Sequence, residues 1–162
     1  MTGPEDILEA VKTRWEIAGS TLPTLVPGGL HHGQAPETKE GVSVVSPYAT
    51  VNITDGELLF SATSAELVGG GRGVSPILLM FEVTIQVYVN STTPNTDGRT
   101  IRQEIDRLFN RDQARSMTMT PAICLDWRPI AGGGLMLDPE RGEALDVAIV
   151  TRRWEATVQG VT

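Results

Sequence analysis

The chain has 162 residues and a mass of 17.4 kDa, the size of one ordinary domain, which excludes a large multidomain enzyme. Apolar residues make up 40% of the chain, enough to bury a core, and 17 glycines with 10 prolines indicate many turns and loops. With 13 basic and 20 acidic residues the formal charge is −7, the wrong sign for a protein that binds nucleic acid tightly through its phosphates.

The cysteine count and the apolar runs indicate the cellular compartment in which the chain is expected. Cys124 is the single cysteine, so it forms no intramolecular disulfide and supplies no thiolate zinc cluster. Residues Met1–Asp6 carry neither a basic segment nor an apolar one, so no secretory signal is visible. The longest apolar run, Ile77–Phe81, is far shorter than the roughly 20 residues of a membrane span. We therefore expect a soluble intracellular chain in a reducing environment.

The first segment predicts an amphipathic helix over Pro4–Ala18. Ile7, Val11 and Trp15 recur at helical spacing, and Pro4 suits the first helical position. From residue 19 to 41 prolines and glycines are frequent and the apolar residues follow no sustained period, which predicts a long connection. Connections of this length often carry function. A short strand is predicted at Val42–Val45.

The next segment predicts a β-hairpin. Tyr48–Ile53 alternates polar and apolar residues, Asp55-Gly56 is a strong turn signal, and Leu58–Ala62 reads as the returning strand. A glycine-rich loop over about residues 64–76 follows, with Arg72 among the glycines of Gly69–Gly73.

After Pro76 comes the clearest strand of the sequence. Its odd positions are apolar and its even positions largely polar, which predicts one buried and one polar sheet face and antiparallel pairing. The apolar set is Phe81, Val83, Ile85, Val87 and Val89. A second helix is predicted over Thr96–Asn110, with Ile101, Ile105, Leu108 and Phe109 as its buried stripe.

Two further strands are predicted near the C-terminus, separated by a second long loop over about residues 128–143. In the first, Ile123, Leu125 and Trp127 alternate with Cys124 and Asp126. In the second, Ala144–Val158, the apolar phase begins on Val147 and Ile149 but ends on Trp154 and Ala156. A bulge near Val150–Arg153 would shift the phase by one residue, and the alternative is an edge that emerges into a subunit contact.

The order of these elements predicts an α+β fold. Runs of strands with segregated helices indicate a mostly antiparallel sheet of about 4–6 strands, with two helices packed on one face and long loops between them. We expect residues 1–162 to form a single domain of this kind.

Candidate catalytic and metal sites are weak at the sequence level. The glycine runs Gly69–Gly73 and Gly132–Gly134 open no helix and lack the lysine of a phosphate loop. His31 and His32 are neighbours whose side chains diverge on an extended chain, and Cys124 reads as a small core residue. Carboxylates around the second loop are expected to be solvated charge. We therefore predict no cofactor, no metal and no catalytic residue.

The layout resembles the tail terminator, or tail-completion, proteins of long-tailed bacteriophages and related prophages. The resemblance spans most of the chain: the helix Pro4–Ala18, the strand entry Pro47–Val51, the Gly-rich link into Phe81–Val89, the helix Thr96–Asn110 and the last two strands. Two segments, Leu22–Glu40 and Arg128–Gly142, are longer than in that family.

The resemblance implies a non-enzymatic virion protein that forms a ring, typically a hexamer, at the head-proximal end of the tail tube. Such a ring ends tube polymerisation and joins the tail to the head connector after assembly in the host cytoplasm. Its expected partners are further copies of itself, the tail tube protein and a connector or neck protein, with no membrane; DNA would pass through an acidic bore without specific binding. The candidate assembly residues lie in glycine-rich or loop segments and where the last strand changes phase: Arg72, Leu135, Met136, Arg152, Arg153 and Trp154.

Two alternatives remain at this stage. The chain could be another neck or head-completion protein of a phage, which would join different rings. It could also be a small ligand-binding α+β domain or enzyme, which predicts a deep pocket with convergent polar groups.

Overall fold

The sheet and its helices account for most of the described chain. A computed structural model describes residues 3–33, 45–54, 56–61, 76–119, 122–130, 134–137 and 147–161. The helices in these ranges are α1 Pro4–Trp15, α2 Leu22–Leu25, α3 Pro94–Leu108 and α4 Arg111–Ala114. The strands are β1 Leu30–His32, β2 Tyr48–Ile53, β3 Glu57–Ser61, β4 Pro76–Asn90, β5 Ile123–Pro129, β6 Gly134–Leu137 and β7 Val147–Val161.

Two long central strands organise the sheet. β4 and β7 pair antiparallel over all 15 residues of each, from Pro76 opposite Val161 to Asn90 opposite Val147. β2 and β3 flank β4, β5 and β6 flank β7, and β1 joins β2 in the sheet's parallel pair. The predicted α+β fold with a mostly antiparallel sheet is confirmed, and the described strands number seven.

The alternation of β4 is confirmed. Its odd residues from Leu79 to Val89 are buried against the helices, while the even residues from Leu78 to Tyr88 are half-buried on the opposite face. We call the latter the outer face, and it also carries the odd residues of β7 from Ile149 to Gln159. Burial of one face follows from the period of two in the side-chain directions of a strand.

The predicted hairpin between β2 and β3 is wrong. Both strands pair with β4, on the same side of it and in the same direction, so the chain continues along β4 instead of turning back. Ile53 pairs with Val83 and Glu57 with Met80, which leaves one extra residue on the β2–β3 side. Asp55 itself lies outside the described residues. The chain thus stays beside β4 where the sequence suggested a reversal, because the tertiary pairing with β4 prevails over local turn preference.

The segment predicted as a connection over 19–41 contains structure in its first half. It forms α2 and then β1, while residues 34–41 lie outside the described chain. Gly28 allows the close approach of this segment to the start of β2: a Cβ there would lie 2.0 Å from Val45 O and 2.7 Å from Tyr48 Cβ. The predicted strand Val42–Val45 is not seen at Val45, and residues 42–44 are outside the described part.

The predicted bulge in the last strand is also wrong. β7 keeps one register with β4 throughout, and its even residues face the helices from Ala148 to Val158. The apparent phase change has two causes: Ile149 puts an apolar residue on the outer face, and Arg152 puts a charged one on the helix face. Residues 134–137 form β6, so the loop predicted over 128–143 is wrong in that part; residues 131–133 and 138–143 lie outside the described chain.

The bulge that does occur in this region lies in β5. Cys124 pairs with Val158 and Asp126 with Thr157, which leaves Leu125 as the extra residue. Ile123, Leu125 and Trp127 therefore do not share one strand face, contrary to the prediction. Trp127 is buried, but Ile123 and Leu125 are 59% and 44% exposed. Cys124 is buried, as predicted.

Both long helices are confirmed, with shifted ends. α1 ends at Trp15, and Gly19 adopts a positive φ of 86° shortly after it. α3 begins at Pro94, ahead of the predicted Thr96, and buries Ile101, Ile105 and Leu108. An aromatic cluster joins α3 to the sheet: Phe109, Trp127 and Trp154 have ring centroids 5.6 to 6.1 Å apart, and Trp127 Nε1 donates to Phe109 O at 3.1 Å.

Candidate functional site

Five of the six candidate assembly residues lie on the paired strands β6 and β7. Arg72 lies outside the described residues. Leu135 and Met136 lie on β6 and not on a loop, with their backbones paired to Val150 and Ile149 of β7. Arg152, Arg153 and Trp154 are consecutive on β7, so their side chains alternate between the two faces of the sheet.

Trp154 and Arg152 point to the helix side. Trp154 is buried in the aromatic cluster and offers no surface to another molecule in this conformation. Arg152 reaches α3, where its Nε lies 2.7 Å from Asp106 Oδ1. Its side chain is 19% exposed, so Arg152 acts within the layer between helix and sheet.

Arg153 belongs to a cluster of four charges on the outer face. Its Nε donates to Glu82 Oε1 at 2.9 Å, and Arg128 of β5 pairs with Glu155. Glu82 and Glu155 are direct cross-strand partners on β4 and β7. Carboxylates placed opposite each other repel, so the two flanking guanidinium groups are what make this arrangement tolerable.

One end of the outer face carries four apolar residues, two on each side of Gln159 and Thr157 of β7, and sequence reasoning did not single it out. Leu78 and Met80 of β4 lie half-buried there, and Ile123 and Leu125 of β5 lie exposed. Leu78 and Ile123 both pair with Gln159 of β7, which places them in one row across the sheet. We call these four residues the apolar end. The sequence signal was the run Ile77–Phe81, apolar at every position where the rest of β4 alternates.

An open hollow of about 340 Å³ adjoins the apolar end. It is lined by residues 115–119 together with Ala122, Ile123 and Cys124, and Thr118 forms an isolated bridge with Ile123. Arg115 at its rim is exposed and makes no ion pair within the described chain. Met117 and Met119 line the hollow, but their side chains are buried in the core.

The titratable residues that could carry chemistry lie apart. His31 Nε2 lies 2.7 Å from Gly28 O, and His32 is exposed. Burial, followed by the charge of Asp126, raises the pKa of the Cys124 thiol to about 11, which disfavours a thiolate nucleophile. Among the described residues no group of three or more His, Cys, Asp or Glu side chains could hold a metal ion.

Within the described ranges, no helix is long and apolar enough to cross a bilayer.

Comparison with known proteins identifies a shared fold. No protein-family model matches the chain, and no curated protein matches it. A chain of the solved structure "Virion of native gene transfer agent (GTA) particle" is similar, with a TM-score of 0.55 and 12% sequence identity. The similarity covers 94% of this chain and 93% of that one, so the two share one architecture over nearly their whole lengths.

Proposed function

We propose that this chain is a structural protein of a phage-like virion, and that it forms a ring, with six copies as the expected number, at the head-proximal end of a tail tube. The observation that carries the proposal is the fold shared with a chain of a gene transfer agent virion over 94% of the present chain. The resemblance of the sequence layout to tail terminator proteins supports the finer assignment. In this role the protein needs no catalytic residue, cofactor or metal.

The surface chemistry is compatible with assembly. A closed ring requires two different surfaces on each copy that fit each other. The apolar end exposes Ile123 and Leu125, apolar residues of the kind that assembly covers. The formal charge of −7 suits a bore through which DNA slides without binding.

Native mass spectrometry of the full chain, alone and mixed with a phage tail tube protein, tests the proposal. We expect a closed ring, formed by the chain alone or on the end of the tube, and tubes that stop growing once it is added. A chain that stays monomeric in both conditions and leaves tube growth unchanged would contradict the proposal. Among phage neck components, binding to a portal or connector ring without binding to the tube would instead identify a head-completion protein.

The hollow beside Ile123 is the feature that favours a function of a different class, the binding of a small molecule. Its volume of about 340 Å³ lies in the range of small-molecule sites. Saturable binding of a small molecule by a monomer, abolished by substitution of Arg115 or Ser116, would favour that function over a virion role.

A further inference from the structure

A second hollow adjoins the one that Ile123 lines. It has a volume of about 140 Å³ and lies between the C-terminal half of α1, with the turn after it, and residues 116–118. Its lining residues on the α1 side are Ala10, Thr13, Arg14 and Ile17. Residues 116–118 also line the larger hollow of about 340 Å³. The two hollows therefore meet along this segment, and we call them together the groove.

The wall that the two hollows share is fixed in place. Met117 N–H donates to Ala114 O at 3.0 Å, and Thr118 forms a β-bridge with Ile123. Met117 and Met119 are 9% and 3% exposed, so the core holds both side chains. The groove is thus preformed, and a ligand that enters it does not have to order this wall.

Each hollow combines an exposed isoleucine with an arginine. Ile17, which is 39% exposed, and Arg14 line the smaller hollow. Ile123, which is 59% exposed, and Arg115 line the larger one. An apolar side chain that packs against either isoleucine removes apolar surface of both groups from water, which favours binding.

Neither arginine has an ion pair within the described chain. Arg14 Nε donates to Leu108 O at 2.9 Å and its Nη2 donates to Gln113 Oε1 at 2.6 Å, so these partners are neutral. Arg115 is exposed and pairs with no described carboxylate. Guanidinium groups form their strongest hydrogen bonds with carboxylates. The groove therefore matches a ligand that carries carboxylates beside apolar groups.

The nearest carboxylates lie outside the groove. Asp112 and Glu16 are the acidic residues closest along the chain to the two arginines, but both are exposed and neither lines a hollow. Asp126 is paired with Arg111. No Asp or Glu is found among the described residues that line the groove. Because water and salt screen charges at a distance, direct contact with the two arginines selects the ligand.

We propose that the groove docks an extended segment of another protein that carries two apolar residues, each next to an acidic one. Each apolar side chain covers one isoleucine, and each carboxylate binds one arginine. A protein segment fits better than a small molecule, because the larger hollow is open to solvent, whereas small-molecule sites enclose most of their ligand. The inference goes beyond the proposed function and does not depend on it, since a single copy of the chain contains the whole groove.

Two five-residue peptides, fluorescently labelled and uncharged at their ends, test the docking. The peptide LEGLE carries two leucine–glutamate pairs, and LQGLQ has nearly the same shape without the charges. Fluorescence anisotropy with the full chain measures both affinities. We expect LEGLE to bind at least about tenfold more tightly, because hydrogen bonds from arginine to a carboxylate are stronger than those to an amide. Its affinity is expected to fall when the ionic strength rises from about 0.1 to 1 M.

Variants locate the binding in the groove. Arg115→Gln is expected to weaken binding of LEGLE about tenfold and to leave LQGLQ nearly unchanged. Ile17→Ala is expected to weaken both peptides about fivefold, because less apolar surface is covered. Arg99→Gln is the matched control: Arg99 is also exposed and without an ion pair in the described chain, but it lies on α3 and lines neither hollow. This variant is expected to bind both peptides as the native chain does.

The outcomes separate the docking site from the ring. Equal affinities for the two peptides, binding of neither, or an Arg115→Gln chain that binds LEGLE as tightly as the native chain would overturn the docking site and leave the proposed ring standing. Self-association of the native chain that LEGLE displaces and Arg115→Gln abolishes would show that a second copy occupies the groove, which would overturn the assignment to another protein.

Discussion

Arg152 on β7 and Asp106 on α3 pair across the layer between helix and sheet, with Arg152 Nε 2.7 Å from Asp106 Oδ1. Neither atom has a well-directed hydrogen bond among the described residues, so the attraction is that of an ion pair. Arg152 lies in the same row of inward positions as Val150 and Trp154, and its charge interrupts an otherwise apolar series. The pair therefore joins α3 to the sheet at a position where apolar packing is absent.

We expect Asp106→Ala to destabilise the fold by about 1–2 kcal/mol. The estimate lies between the small value of an exposed ion pair and the larger cost of leaving a buried charge alone, since the two side chains are 19% and 39% exposed. The double variant D106A/R152M is expected to recover part of this loss, because methionine packs among the apolar neighbours of Arg152. Urea denaturation measures these free energies. A loss in the double variant equal to the sum of the losses in the two single variants would show that the pair is not coupled.

Glu104 of α3 anchors the turn that follows α1. Its carboxylate accepts from Arg107 and, at 3.0 Å, from the backbone N–H of Thr21. The hydrogen bond from Arg107 lowers the pKa of Glu104 to about 2, below its ordinary value of 4.5. A carboxyl group whose pKa is lowered by folding adds stability that is fully present above the unfolded pKa and is lost as the pH falls toward the folded one.

We expect Glu104→Gln to lower the free energy of unfolding by about 1 kcal/mol at pH 7, a modest value because solvent at the half-exposed Arg107 screens the pair. The difference between variant and native chain is expected to shrink between pH 4.5 and pH 2. Thermal denaturation over this range measures it. A difference that stays constant with pH would show that the charge of Glu104 does not contribute.

Gly56 lies where the chain passes from β2 to β3, against the ring of Phe81. A Cβ at this position would lie 2.6 Å from Phe81 Cζ and 2.8 Å from Cε1. Because Phe81 is buried and its ring has little room to move, we expect Gly56→Ala to destabilise the fold by about 1–3 kcal/mol. Gly3→Ala, where nothing lies within 4 Å, is the control for a Cβ added in open space in the same denaturation assay; because Gly3 is the N-cap of α1 and alanine is a poorer N-cap than glycine, it is expected to cost at most about 1 kcal/mol.

The raised pKa of Cys124 predicts a slowly reacting thiol. A rise from 9.0 to about 11 lowers the thiolate fraction at pH 8 by about 100-fold, and burial hinders access further. Alkylation by iodoacetamide at pH 8 is therefore expected to be at least that much slower in the native chain than in the chain unfolded by urea. Equal rates in the two states would show that Cys124 is accessible in the folded protein.

Local patterning was sufficient for elements whose own residues determine their conformation. The strand from Pro76, the helix from Pro4 and the buried stripe Ile101–Ile105–Leu108 were predicted correctly, because their periods match the side-chain geometry of strand and helix. The fold class followed from their order. Among candidate site residues, Arg152 and Arg153 were singled out because they interrupt an apolar phase, and the structure places them in ion pairs with Asp106 and Glu82.

The pairing of strands was decided only by the tertiary structure. Asp55-Gly56 has the composition of a tight turn, yet β2 and β3 run on along β4, since the ladder of a long central strand offers more hydrogen bonds than a short hairpin. A one-residue bulge at Leu125 is likewise invisible in the alternation of Ile123, Leu125 and Trp127, although it turns an expected core strand into an exposed apolar edge.

The sequence by itself thus determined which segments are helix or strand, which face of β4 is buried and that the chain is acidic. The tertiary structure decided which strands are neighbours, that Trp154 is a core residue and that Ile123 and Leu125 are exposed. The physical reason is that periodicity is a property of adjacent residues, whereas register, bulges and the burial of a given face depend on partners that are distant in the chain.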